Sequence, residues 1–322
     1  GRPGSIRTGQ FQQFVPDSPE LPRPNGMWRY TVDSQGFRIR IHPEREGAKR
    51  VLFLGDSVLF GWGVHDHETL TARLGNIFAA QGEAPVECLN LGVPGYNTEQ
   101  EYLSLVENYD RFRPDAVVVC QVSNDLEPQL VVPERPQRVY RHVRFDSWFL
   151  ERSKKSFNYS VRRIYTHVGN VLAYAGIPMS FPLRWLWLPP NRYVARDSER
   201  GWHGEGFKRS AGRGALARIG EFCRRNDCPL LVVSMPDLGG RDQVADFMFS
   251  ADQVKMWTGE MGIPYLNPLP WMSNVPHAQL RVSKRDGHPN ARATAMLAKI
   301  LAQPVQDVLE EGWNYEPPAR PN

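Results

Sequence analysis

The sequence holds no apolar run of 18 residues, so nothing in its 322 residues predicts a membrane span. Cysteine is scarce, with four in all. Cys88 and Cys120 fall in apolar, strand-like stretches and read as small core residues. Cys223 and Cys228 flank "RRND". Their spacing fits no common zinc pattern, and no Cys/His pair stands beside them, which leaves either a local disulfide or two free thiols. A charge excess is lacking too. Thirty-nine Lys and Arg against 35 Asp and Glu leave a net charge of +4, with a pI near 8.9. No basic block is long enough for a nucleic-acid arm, and none is expected as a partner. The densest basic stretch, "PERPQRVYRHVR" (133–144), reads as a solvated face or the rim of a site. No secretory leader is visible, but the chain opens "GRPGSIRTGQ" without Met, so a removed leader stays open. No internal repeat is evident.

What is present is ordinary for a globular chain with a real core: 41% hydrophobic and 23% charged residues. The length fits two domains, or one large α/β domain with insertions. Residues 1–26, rich in Pro, Gly and Gln, predict an extended N-terminal arm. Residues 27–322 then form one domain with a regular alternation. "VLFLGDS" (51–57) is a strand. "TLTARLGNIFAAQG" places Leu70, Leu74, Ile77 and Phe78 on one helical face. "VECLNLG" (86–92) is a second strand, and "EQEYLSLVENYDRF" a helix with Tyr102, Val106 and Tyr109 on one face. "DAVVVCQVSND" (115–125) is a third strand, continuously apolar as one buried on both faces should be.

Regularity lapses over about 128–210, an insertion with four Trp and many Arg. Its "PLRWLWLPPNRY" offers Trp185 and Trp187 as a hydrophobic surface. Three roles fit: a wall over a site, a surface docking on a membrane or partner, or an ordinary packed subdomain. From 211 the alternation resumes with "ALARIGEFCRR", "PLLVVSMP", "ADQVKMWTGEMG", "IPYLNPLP" and a closing helix "NARATAMLAKILAQ". This pattern predicts an α/β fold, a central parallel sheet between two helical layers in a flavodoxin-like sandwich.

In such sheets ligands bind beyond the carboxyl ends of the strands, and four polar features fall there. Ser57 follows the first strand, in a bend where Gly55, Gly61 and Gly63 give the backbone room and Trp62 stands beside a prospective substrate. Alone, Gly-Asp-Ser reads as a turn serine. "NLGVPGYNT" follows the second strand and brings Gly95, whose N–H could face an anion. "VSND" ends the third and brings Asn124, an amide donor. "RDGHPNARA" precedes the last helix. It offers His288 as a base and Asp286 as the group that orients it. The rival histidines, His65 and His67 in "GVHDHE", read as a solvated pair rather than metal ligands. The G-x-S-x-G elbow is absent, since residue 59 is Leu.

Together, in this order, "GDSVLFGWGV", "NLGVPGYNT", "VSND" and "RDGHPN" resemble the SGNH hydrolase superfamily, the GDSL esterases and acyltransferases, in a bacterial branch. The likeness is close over 51–126, looser over 211–302 and silent over 128–210. It implies a nucleophilic Ser57, an oxyanion site from Ser57, Gly95 and Asn124, and His288 with Asp286 as the base pair. It implies an ester substrate, such as an O-acyl or O-acetyl group on a carbohydrate or a small ester, with no cofactor and no metal. Asp286 stands two residues before His288, where the commonest family pattern has the acid three before. Two-residue spacing resembles that of polysaccharide O-acetyltransferases, the alternative reading. A catalytically silent glycan- or partner-binding module is the third. The resemblance also implies a bacterial exported or membrane-anchored protein.

Overall fold

The computed structural model describes residues 6–10, 27–33, 36–38, 47–81, 85–126, 211–236, 238, 241–283 and 286–317. The insertion, with Trp185 and Trp187, lies outside the described residues. β1 (Ile6–Gln10) pairs antiparallel with β2 (Met27–Thr31) in a small sheet of its own.

The main sheet starts with β3 (Lys49–Gly55), whose Val51, Leu52, Phe53 and Leu54 are fully buried. A strand buried along its whole length must be covered on both faces, which is the condition for a parallel sheet. The short helix α1 (Ser57–Phe60) follows, then α2 (Leu70–Gln81), β4 (Val86–Gly92) and α3 (Thr98–Phe112). β5 (Ala116–Gln121) is buried throughout and runs into a 3₁₀ turn, Ser123–Leu126. Beyond the insertion come α4 (Ala211–Arg225), β6 (Leu230–Ser234), α5 (Arg241–Met261) and β7 (Tyr265–Leu266). A hairpin of β8 (Arg281–Ser283) and β9 (Asp286–Pro289) leads into α6 (Ala291–Glu311).

The five-stranded sheet is parallel, in the order β4-β3-β5-β6-β7. Counted within the sheet this is 2-1-3-4-5, the flavodoxin-like order, and it reverses direction between β3 and β5. Val51, Phe53 and Val118 pack in one cluster with Leu70, Leu74 and Phe78 of α2 and with Leu297, Leu301 and Val305 of α6. α2 packs against α6, and α3 against α4.

Three local expectations change. In α3 the Tyr102–Val106–Tyr109 face is not the buried one: Val106 is exposed, whereas Glu101, Ser104, Leu105, Asn108 and Phe112 are buried. α5 begins at Arg241, ten residues before the apolar repeat beginning at Ala251 announces it. His288 lies on a short strand rather than in an open loop. Cys223 and Cys228 are buried free thiols. Among the described residues no helix is long and apolar enough to cross a membrane.

Candidate active site

The carboxyl end of β3 delivers the serine. Asp56 caps α1, its Oδ1 accepting the Val58 N–H at 2.8 Å. Ser57 is thereby the first residue of a one-turn helix, with its hydroxyl held at the strand end. The helix stops after four residues because Gly61 takes φ 79°, left-handed backbone that suits glycine. α1 also sits against the end of β4. A Cβ on Gly92 would lie 2.4 Å from the Phe60 nitrogen, so only glycine admits that approach.

The imidazole arrives from the far end of the chain. His288 Nε2 lies 2.7 Å from Ser57 Oγ. Its Nδ1 lies 2.5 Å from Asp286 Oδ1, and its backbone N–H donates to the same oxygen at 3.1 Å. An ionised carboxylate only accepts, so Nδ1 carries the proton and Nε2 is the acceptor facing the serine. Burial alone would push the Asp286 carboxyl up. The hydrogen bonds and charge of His288 outweigh it, a hydrogen bond from the Trp62 side chain adds to them, and the pKa ends below the usual carboxylate value. Asn290 fixes the spacing: it caps α6 by accepting from Arg292 and Ala293 N–H, and its amide donates to the Gln279 and Arg281 carbonyls.

Gly95 stands exposed in the turn after β4, and among the described residues neither its N–H nor that of Ser57 donates to a protein group. Asn124 lies in the 3₁₀ turn after β5, but its side chain is outside the described residues. Gly95 and Asn124 thus follow the two strands that flank β3. Trp62 is 37% exposed, with its ring 6.3 Å from that of His288. His65 accepts the Arg29 N–H at 3.0 Å through Nδ1 and stacks on His67. Among the described residues no His, Cys, Asp or Glu cluster could hold a metal.

Sequence reasoning missed three features. Asp56 Oδ2 lies 3.0 Å from Ser57 Oγ, a second acceptor for its one proton. Glu101, on α3, is fully buried with no hydrogen-bond partner for either carboxylate oxygen. Burial, then the charge of Asp56, pushes its pKa well above the ordinary value. Arg38 is buried under the loop that carries Trp62. Only Asp56 has a sequence cue, its place one residue before the serine.

Several solved structures are similar to this chain at low identity. The structure titled TesA is 12% identical with a TM-score of 0.47, covering 81% of this chain and 99% of its own. The lipase/acylhydrolase from Enterococcus faecalis is 13% identical with a TM-score of 0.45, covering 82% and 96%. The esterase EstA from Pseudoalteromonas sp. is 12% identical with a TM-score of 0.41, covering 83% and 100%. Among curated proteins none matches. The model of the GDSL-like lipase/acylhydrolase family matches residues 53–296, from within β3 into α6 and so across Ser57, Asp286 and His288. On that match, over more than half its length, the chain belongs to the GDSL-like lipase/acylhydrolase family and is a carboxylic ester hydrolase.

Proposed function

We propose that this enzyme cleaves its ester through an acyl-enzyme on Ser57, with His288 as base and Asp286 as its orienting partner. The observation that carries the reading is the continuous contact from Ser57 Oγ through the imidazole to Asp286. A serine hydroxyl is a weak nucleophile until a positioned base takes its proton. As Ser57 Oγ bonds to the ester carbonyl carbon, its proton passes to His288 Nε2 and the carbonyl becomes an oxyanion. The Ser57 and Gly95 N–H groups and the Asn124 amide are the proposed donors to that oxyanion. When the tetrahedral centre collapses, the alcohol leaves with the proton from His288. Water then attacks the acyl-enzyme by the same route in reverse. Asp286 stays ionised and stabilises the imidazolium. No step calls for a metal or organic cofactor.

We infer that the substrate is an O-acyl or O-acetyl ester on a carbohydrate, or a small ester. The half-open indole of Trp62 beside His288 supports it, because an aromatic face suits a sugar ring or an acyl chain. Transfer to a sugar hydroxyl is the second reading, and the D-x-H spacing at Asp286 favours it. The test is labelling with a fluorophosphonate, paired with turnover of short nitrophenyl esters with and without a glycan acceptor. Wild type should label at Ser57, and Ser57→Ala should neither label nor turn over. Full activity in Ser57→Ala would sink the mechanism. An acetylated glycan among the products would choose transfer over hydrolysis.

A further inference from the structure

Ser57 Oγ touches two acceptors. His288 Nε2 lies 2.7 Å away and Asp56 Oδ2 3.0 Å away. Asp56 is only 2% exposed, and its Oδ1 is committed to the Val58 N–H at 2.8 Å. The cap thus fixes the carboxylate, and with it the approach of Oδ2 to the nucleophile. A helix cap needs one side-chain oxygen. The second oxygen makes a contact that capping does not require.

Counting protons shows which state of the site this geometry suits. With His288 neutral, Nε2 and Oδ2 both accept, and the single Ser57 proton serves only one of them. With His288 protonated, Nε2–H donates to Oγ and the Ser57 hydroxyl donates to Oδ2. Both contacts then carry a proton, in one chain from a cation through the serine to a carboxylate. Hydrogen bonds with an ionised partner are the strong ones, so the arrangement favours the imidazolium over the imidazole. Other charges surround the same centre. Asp286 holds His288 Nδ1 from the β9 side. Burial, then the charges of Glu101 on α3, Asp125 in the turn after β5 and Asp56, pushes the Cys120 thiol up, so these three carboxyls stand around one strand end. On the hairpin side are Arg281 of β8 and Arg292 of α6, whose Nη1 donates to Gln279 Oε1 at 2.8 Å.

We propose that Asp56 is a further catalytic residue: as the second acceptor on Ser57 Oγ it favours the protonated form of His288, and so sets the pH below which turnover is lost. The proposal rests on the serine-esterase reading. In the reaction Asp56 takes no proton. The Ser57 hydroxyl leaves Oδ2, its proton passes to Nε2, and Oγ bonds to the acyl carbon. The imidazolium then faces Asp286 at one nitrogen and, across Oγ, Asp56 at the other.

The test uses the full chain and compares wild type with Asp56→Asn and Asp56→Ser. Both variants keep a capping oxygen for the Val58 N–H. Asparagine offers Oγ a donor in place of an acceptor, which turns the Ser57 proton to Nε2 and suits the neutral imidazole. Serine removes the second oxygen altogether. The readouts are the pH profile of kcat/KM on nitrophenyl acetate and the rate of Ser57 labelling by a small fluorophosphonate over the same range. The acid limb reports protonation of the base in the free enzyme. It should move about one pH unit lower in both variants, the scale of one opposite charge removed. Well below the wild-type limb, labelling relative to its plateau should rise about tenfold. An unmoved limb in a variant with the wild-type circular dichroism spectrum would overturn the proposal and leave Asp56 a cap. An equal downward shift in Glu101→Gln would also overturn it, by making the effect one of diffuse charge. If neither Asp56 variant folds, the His288 ring is titrated by NMR in wild type and in Ser57→Ala, which cuts the chain at Oγ. A lower midpoint in Ser57→Ala is expected, and an unchanged one would overturn the proposal. Failure of wild type to label at Ser57 would instead remove the esterase mechanism itself.

Discussion

His288 Nε2 stands 2.7 Å from Ser57 Oγ across 231 residues of sequence. Neither residue moves freely to make that contact. Ser57 is set by the end of β3 and the Asp56 cap, and His288 by the β8–β9 hairpin and the Asn290 cap of α6. The sheet order puts Ser57 at the carboxyl edge, beside the point where strand direction of travel reverses, and the separate β8–β9 hairpin brings His288 to it. The contact is thus a property of the fold.

Asp286→Asn isolates the tautomer. The amide keeps the size of the carboxylate but can offer N–H to Nδ1. That would leave Nδ1 unprotonated and put the proton on Nε2, facing Ser57, where no base then exists. We expect kcat on a short nitrophenyl ester to fall by about four orders of magnitude. The circular dichroism spectrum should stay that of wild type. A loss under tenfold would mean that Asp286 does not orient the base.

Gly92→Ala tests the close approach under the short helix that begins at Ser57. The added methyl would sit 2.4 Å from the Phe60 nitrogen and 2.9 Å from Leu59 carbon, both backbone atoms that cannot swing away. α1 would have to shift, and Ser57 is its first residue. Overpacking of this kind costs about 1–3 kcal/mol. Urea unfolding should show that loss, and activity should fall further than the folded fraction does.

The sheet was legible because β3, β5 and β6 carry unbroken apolar runs at βα spacing. The four site segments were legible because each follows a strand or opens a helix. α3 defeated the same reasoning. Its buried side carries Glu101, Ser104 and Asn108, so the aromatic and aliphatic stripe at 102, 106 and 109 pointed the wrong way. A helix whose buried side is polar does not announce its inner face by hydrophobicity. Arg38 was equally silent. Apart from the Asp66 carboxylate, its partners are backbone carbonyls more than twenty residues away, which leave no mark on residue type.

Glu101→Gln should reveal a pH-dependent cost in the native state. Burial and Asp56 raise the folded pKa above the unfolded value near 4.5. Between those two values the native state binds more protons than the unfolded chain, so stability falls as pH rises. Glutamine is neutral throughout and removes that slope. The difference in melting temperature, variant minus wild type, should grow as pH rises from 4.5. A difference that stays flat would mean that Glu101 is ionised in both states.

Asn290→Ala and Asn290→Ser separate the two duties of one side chain. As a cap, Asn290 accepts the Arg292 and Ala293 N–H groups at 3.0 and 3.1 Å. As a brace, its amide donates to the Gln279 and Arg281 carbonyls at 2.9 and 3.1 Å, just ahead of the hairpin that carries His288. Alanine loses both, and should cost about 1–2 kcal/mol in urea unfolding together with a fall in kcat. Serine restores an N-cap oxygen but is too short to reach the two carbonyls. It should therefore recover most of the stability and little of the kcat. Recovery of both by serine would show that capping alone holds His288 in line. Recovery of stability alone would show that the aim of the base depends on the brace across the hairpin.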